Sequence, residues 1–204
     1  MRPIFVVGGL YSKANGVAWI MRDLAAAMGR AGSNVDVYAA DCYGRGRPSI
    51  GEIFEPPTRY LTRKGVWLGG LSWSPALKSY MRKGIKSADV VHNHSVWMLP
   101  NSYASRIALA ENKPTVITAH GALEPWALLN SGWKKKIVRR WFQFQDLKTA
   151  SCIHVNSQNE MRGIRQLGLT QPVAVIPNGI HFPDFRDLPP KVEFTEAFPE
   201  TKGK

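Results

Sequence analysis

The sequence predicts an α/β protein, doubly wound around a mostly parallel sheet. Three observations lead there. Short apolar runs recur along the chain, amphipathic stretches of helical length separate them, and the alternation repeats with the period of a βαβ unit. The size agrees: 204 residues that are 44% hydrophobic and 21% charged can bury one substantial core without staples, but not two full catalytic domains.

Met1-Arg2-Pro3 precede the run Ile4 to Val7, which is too short for a signal-peptide core and lacks a small-residue cleavage site, so it reads as a first strand. Gly16 to Arg30 reads as a helix, because Val17, Ile20, Leu24 and Met28 recur at spacings of three and four before Gly32 closes it. A second strand follows at Val35 to Ala39. Residues 43 to 74, rich in Gly, Pro, Arg and Trp, break the rhythm; one irregular strand around Arg59 to Thr62 and a long loop are expected there. Helices are then expected at Pro75 to Lys86, Ser102 to Glu111, Trp133 to Thr149 and Gln158 to Leu167. They separate strands at Val90 to His92, Val116 to Ala119, Cys152 to Val155 and Val173 to Ile176, whose continuous apolar character suits burial on both faces. From Phe182 the periodicity stops. This divides the chain into a Rossmann-like domain over residues 1–183 and a linker, or the start of a further domain, over 184–204.

Lys and Arg total 27 against 15 Asp and Glu, a formal net charge of +12 that calls for an anionic partner: nucleic acid, anionic lipid or a phosphorylated small molecule. The two cysteines, Cys42 and Cys152, lack C-x-x-C spacing, which excludes a disulfide framework and a zinc ribbon and points to a reducing cytoplasm. No run of apolar residues is long enough to span a bilayer, so any membrane association is expected to be peripheral, on the inner face.

In an open parallel sheet, ligands gather outside the C-terminal strand ends. Gly8-Gly9 open a loop through Asn15 to Gly16, where backbone N–H groups and a helix N-terminus favour a phosphate; the loop is neither G-x-G-x-x-G nor a Walker A motif, and a tight strand-to-helix turn is the simpler alternative. His92 and His94 lie two apart, and His120-Gly121 end another strand. A third histidine could complete a metal site, but no acidic ligand accompanies them and H-E-x-x-H is absent, so no metal is expected. His120, with Glu124 four residues on, suits hydrogen bonding or proton handling at a ligand mouth, an ordinary loop histidine being the alternative. His154, inside an apolar strand, reads as a satisfied core histidine. Trp133 to Phe144 carries five cations beside Trp133, Ile137, Trp141 and Phe144 at helical spacing, which suits an anionic membrane surface or a domain helix burying its aromatic stripe.

Gly8-Gly9 with Asn15-Gly16-Val17-Ala18, Asp89 to His94, Thr118-Ala119-His120-Gly121 and Val175 to Ile180, in this order and spacing, resemble the N-terminal half of a family-4 glycosyltransferase of the glycosyltransferase-B fold. The likeness runs over roughly residues 3 to 183. It implies one of two Rossmann-like domains facing a cleft, this one holding the acceptor while the other holds a nucleotide-diphosphate sugar, the donor substrate, with no separate cofactor. It places the Gly16 amide at the donor diphosphate and His120, as the catalytic candidate, beside the transferred sugar. Gly9, Asn15, His94, Gly121, Glu124 and Ser157 join Gly16 as substrate-binding candidates because each adjoins a strand end at the same rim. The family's paired glutamates in E-x7-E spacing do not occur, so the donor-binding domain is expected outside these residues and transfer by this chain alone is not expected. The implied reaction is retaining hexosyl transfer to a glycan or lipid-linked acceptor in polysaccharide biosynthesis. The alternative is a non-catalytic basic module at a membrane surface or on nucleic acid. No RNP-type aromatic strand supports the latter, and a nucleic-acid partner is not expected.

Overall fold

The computed structural model describes residues 1–9, 16–41, 54, 58–66, 71–129, 142–179 and 196–201. In chain order the elements are β1 (Pro3–Val7), α1 (Gly16–Arg30), β2 (Asp36–Asp41), β3 (Arg59–Lys64), α2 (Pro75–Lys86), β4 (Val90–His94), α3 (Leu99–Ala110), β5 (Thr115–Thr118), α4 (Pro125–Leu129), α5 (Phe144–Thr149), β6 (Cys152–Val155), α6 (Gln158–Gln166) and β7 (Val173–Val175). The seven strands form one sheet in the order β3-β2-β1-β4-β5-β6-β7, and every pairing is parallel. The doubly wound α/β class is therefore right, and "mostly parallel" understates it. The strand around Arg59 is a regular six-residue partner of β2.

Period-two alternation sorts the strands onto two faces. Ile4, Val6, Tyr38, Ala40 and Val91 pack against Leu77, Met81 and Ile85 of α2 and Ala104 and Ala108 of α3. Phe5, Val7, Val37 and Ala39 point the other way, onto Ala18, Met21 and Ala25 of α1. Farther along the sheet, Ile117, Ile153 and Val155 meet Leu147 of α5 and Ile164 of α6. Burying each Val, Leu, Ile, Phe or Met side chain contributes about 1.5–3 kcal/mol and each alanine methyl less, and these clusters supply most of what holds the layers together.

Caps explain the helix boundaries. Ser74 Oγ accepts the Leu77 N–H at 3.3 Å and donates to the Lys64 carbonyl at 2.7 Å, and Pro75 occupies the first turn of α2, where its missing N–H costs nothing. α3 begins three residues earlier than expected, at Leu99, for the same reason: Pro100 initiates the helix instead of breaking it. Of the expected helix over Trp133 to Thr149, α5 covers Phe144–Thr149; residues 130–141, with most of the basic aromatic segment, lie outside the described residues.

At the N-terminal strand ends, Asp36 is 1% exposed and receives a two-pronged contact from Arg59, at 2.6 Å from Nε and 2.7 Å from Nη2, with Arg2 Nη2 at 3.3 Å. Held against Asp36, the Arg59 guanidinium has its pKa raised. The ligand-binding edge of such a sheet is the opposite one. There strand order reverses between β1 and β4, and the crevice between their C-terminal ends is the position where such sheets bind ligands.

Candidate active site at the sheet edge

A buried amide network holds the crevice. Asn101 of α3 donates to the Val6 carbonyl of β1 at 3.2 Å and to the His94 carbonyl of β4 at 3.0 Å. Asn93 donates to the Asn101 carbonyl at 3.2 Å and to Ser105 Oγ at 2.8 Å. Both asparagines are almost fully buried, so these bonds tie β1, β4 and α3 into one unit where water cannot compete.

On the other face of β4 a row of imidazoles is assembled by strand alternation. Phe5 of β1 touches His92 and His94 with ring centroids at 5.4 and 4.8 Å, and Phe5 also packs on α1, so the histidines and α1 share one side of the sheet. His92 and His94 are 4.1 Å apart by centroid. His94 Nδ1 lies 3.3 Å from His120 Nε2, and these two rings stack at 5.5 Å. His92 Nε2 meets Thr118 Oγ1 at 2.7 Å, Thr118 Oγ1 meets His154 Nδ1 at 2.8 Å, and His154 Nε2 donates to the Ile176 carbonyl at 2.8 Å. With neutral imidazoles the last bond sets the direction of the rest. His154 carries its proton on Nε2 and accepts from the Thr118 hydroxyl, which in turn accepts from His92 Nε2–H.

Burial keeps His92, His94 and His120 uncharged. The pKa of His92 is pushed down to about 3 by desolvation first and then by His154 and His120. That of His120 falls to about 4, through desolvation and then His154, and that of His94 falls well below the ordinary histidine value for the same leading reason. Near neutral pH these rings are hydrogen-bonding groups and not cations. Two nitrogens, His94 Nε2 and His120 Nδ1, are buried without a partner among the described residues. An unpaired N–H costs more in the fully enclosed position than near the edge. The shared proton therefore belongs on His94 Nδ1, donated to His120 Nε2, which leaves His120 Nδ1–H a buried donor with no partner among the described residues.

Backbone strain gathers at the same edge. His120 has φ +51° and Gly121 φ +77°, directly after β5, and Ser95 and Trp97 have φ +74° and +73°, directly after β4. Left-handed conformations cost non-glycine residues on the order of 1 kcal/mol or more and persist where the surroundings enforce them. Here Trp97 N–H donates to Gln143 Oε1 at 2.6 Å and Ser95 N–H to the Thr118 carbonyl at 2.8 Å, and both bonds hold the turn after β4.

The structure brings some of the sequence-derived candidates together and separates others. Gly9 is buried just past β1, and Gly16 opens α1 with its Cα facing free space. His120 sits at the edge as expected. His94 is 1% exposed and backs His120 from inside. The Ser157 hydroxyl caps α6 by accepting the Glu160 N–H at 3.2 Å. Glu124 Oε2 accepts the Trp126 indole N–H at 2.6 Å, and Gly121 lies near Glu160, so Gly121, Glu124 and Ser157 form the neighbouring corner around α6. Asn15 lies outside the described residues. Asn178, from the Val175 to Ile180 stretch that carries part of the family likeness, is found along the body of α1, in a groove of about 290 Å³ with Leu24, Ala27 and His154. His154 is satisfied as expected, but it faces this groove and is only partly buried. Sequence reasoning missed Thr118, whose hydroxyl bridges His92 and His154; the parallel register sets it opposite His94 and His154 on the adjacent strands, on the same face as His92. Among the described residues no group of three or more His, Cys, Asp or Glu is arranged to hold a metal ion.

The family model for Glycosyltransferase Family 4 matches residues 14–182. The chain belongs to glycosyltransferase family 4. No curated relative matches it. Among solved structures, Phytolacca americana UGT2 complexed with UDP-2fluoro-glucose and pterostilbene is similar, with a TM-score of 0.58 at 9% identity over 87% of this chain and 54% of that one. A putative UDP-N-acetylglucosamine 2-epimerase from Listeria monocytogenes has a TM-score of 0.54 at 14% identity, over 85% of this chain and 44% of that one. A sucrose-phosphate synthase structure from Thermosynechococcus elongatus has a TM-score of 0.50 at 13% identity, with 98% and 99% of the two chains covered. At such identities these likenesses are likenesses of fold. The family-4 chain spans about half the length of the first two. No helix among its described residues is long and apolar enough to cross a membrane.

Proposed function

We propose that this family-4 domain is the acceptor-binding half of a retaining, nucleotide-sugar-dependent glycosyltransferase that moves a hexosyl unit to a glycan or lipid-linked acceptor. The observation that carries the reading is His120: a neutral imidazole held in a left-handed conformation at the C-terminal sheet edge, with Nε2 on His94 and Nδ1 buried without a partner among the described residues. Such a group gives a directional hydrogen bond to a sugar hydroxyl without introducing charge. Being preorganised, it does not have to reorient as the reaction proceeds. Gly16, at the start of α1 on the same side of the sheet, offers helix N-terminal amides to the donor diphosphate, and its open surroundings leave room for one.

In this reading the nucleotide sugar is a substrate, no further cofactor is required, and a C-terminal domain supplies the remaining donor contacts across the cleft. Cytoplasmic work on polysaccharide precursors at the inner membrane surface is consistent with the net charge of +12 and the five cations between Trp133 and Phe144. The test is to assay the chain with a panel of nucleotide sugars and acceptors, alone and mixed with a complementary C-terminal domain. The expected result is transfer only in the mixture, slowed on the order of 100-fold by His120→Asn. Transfer at an undiminished rate in this variant overturns the role given to His120.

A further inference from the structure

A second concave surface lies between α2 and α3, on the face of the sheet away from the histidines. It encloses about 590 Å³, within the ordinary range of a ligand site, and the residues that define it are Trp73, Lys78, Arg82, Lys86, Tyr103 and Arg106. Lys78, Arg82 and Lys86 recur every four residues, so they form one row along α2, about 12 Å from end to end. α2 holds a fourth cation, Lys83, and no acidic residue. Neutralisation of the row is slight. Lys86 stands 3.9 Å from Glu111, Arg106 stands 3.8 Å from Asp146, Lys78 rests over the Tyr103 ring at 5.1 Å, and among the described residues Arg82 forms no ion pair. Trp73 stays 43% exposed although its backbone is pinned to Val66 by two hydrogen bonds of 2.7 and 2.9 Å. A flat apolar ring is thus presented at one end of a charged row.

Position decides what such a row is for. Each helix follows a strand of a parallel sheet and runs back from the C-terminal strand edge, so the Trp73 end of the groove opens at the edge where His120 sits and the Lys86 end lies at the far edge. We infer that this groove is an exosite for an acidic oligosaccharide, a chain of sugar rings bearing carboxylates, which docks along α2 while its growing end reaches the sheet edge. This rests on the glycosyl-transfer reading. Sugar rings place their apolar C–H faces on an exposed indole, and carboxylates repeating along the chain meet Lys78, Arg82 and Lys86 in turn. A lamellar membrane surface fits a concave groove less well. A single-stranded nucleic acid needs successive open stacking platforms, whereas here the Tyr103 ring is covered by Lys78 and Trp73 stands apart.

The test is a titration of the full chain with hexagalacturonate, maltohexaose, a hexathymidylate and vesicles of equal parts phosphatidylglycerol and phosphatidylcholine, at low and moderate salt. Hexagalacturonate is expected to bind and maltohexaose to bind at least tenfold more weakly. The triple variant Lys78→Gln, Arg82→Gln, Lys86→Gln should lose at least tenfold in hexagalacturonate affinity. The charge-matched triple Arg30→Gln, Lys83→Gln, Lys113→Gln should lose less than twofold, and Arg82→Gln alone gives an intermediate loss if the first triple proves unstable. Equal losses in both triples overturn the site, as does the absence of hexagalacturonate binding or tighter, groove-dependent binding of the hexathymidylate or the vesicles. Binding is read without turnover, so failure here is distinct from failure of the donor assay, which tests the glycosyl-transfer reading.

Discussion

Met98 occupies the space that any side chain at Gly8 would need: a Cβ there would fall 2.7 Å from both Cβ and Cγ of Met98 and closer still to its sulfur. Gly8 ends β1 and Met98 caps α3 after β4, so this contact closes the base of the crevice between the two strands. Gly8→Ala must push Met98 and the start of α3 outward, and is expected to destabilise the domain by about 1–3 kcal/mol. Gly16 meets nothing within 4 Å, and Gly16→Ala is expected to raise stability by about 0.5 kcal/mol through the unfolded chain. Urea unfolding of both variants checks the contrast, and equal effects would show that the Met98 contact is unimportant.

Acid should loosen the protein well before it protonates the histidine row. In the folded state His92 and His120 titrate near 3 and near 4 and His94 well below its ordinary value, whereas in the unfolded chain all three titrate near 6.5. Their contribution is complete above the unfolded value and is lost as pH falls towards the folded ones, at about 1.4 kcal/mol per pH unit for each ring. Asp146 acts in the opposite sense: burial raises its pKa to about 6, so between that value and the unfolded carboxylate range it gains stability as pH falls. For His92, His120 and Asp146 together the net expectation is a loss on the order of 3 kcal/mol between pH 7 and pH 4.5, reduced by His92→Gln. A flat profile in chemical denaturation would mean that the row is hydrated.

Asp36 is enclosed between two arginines at the N-terminal strand ends, and its side chain is 2% exposed. Arg59→Ala leaves that carboxylate with Arg2 alone and is expected to cost about 2–3 kcal/mol, less than a fully enclosed pair because the Arg59 side chain is 62% exposed. Thermal unfolding measures it. The double variant Asp36→Asn, Arg59→Ala should cost less than Arg59→Ala alone, since no buried charge is then stranded.

The sheet was legible because its apolar runs are short, bounded by turn residues and separated by periodic helices; β1, β6 and α1 begin and end within a residue of the reading from sequence. α3 was displaced because Pro100 looks like a breaker unless its neighbours reveal it as an initiator. In the site, His120 was legible from its place after a strand. The burial of His94 and the cap at Ser157 were not, because both depend on which face of an element a neighbour covers. Ser157-x-x-Glu160 does carry the sequence signature of a helix cap. Thr118 went unnoticed because a hydroxyl becomes informative only once parallel register sets it between His92 and His154.

The sharpest expectation concerns His120 itself. Its φ of +51° is tolerated by asparagine better than by alanine, so His120→Asn removes the imidazole while keeping the turn after β5, whereas His120→Ala adds backbone strain to the loss of the ring. If the ring contacts the transferred sugar, both variants should lose on the order of 100-fold in kcat with the assembled two-domain protein, and only His120→Ala should also lower Tm. Thr118→Val cuts the bridge between His92 and His154 but touches neither His120 nor its bond to His94. It should destabilise the sheet by about 1–3 kcal/mol, because a buried imidazole N–H at His92 is left unpaired, and it should change kcat less than threefold. Steady-state kinetics alongside thermal unfolding separates the two roles. A Thr118→Val enzyme as slow as His120→Asn would mean that the whole row, and not Nδ1 of His120, sets the rate.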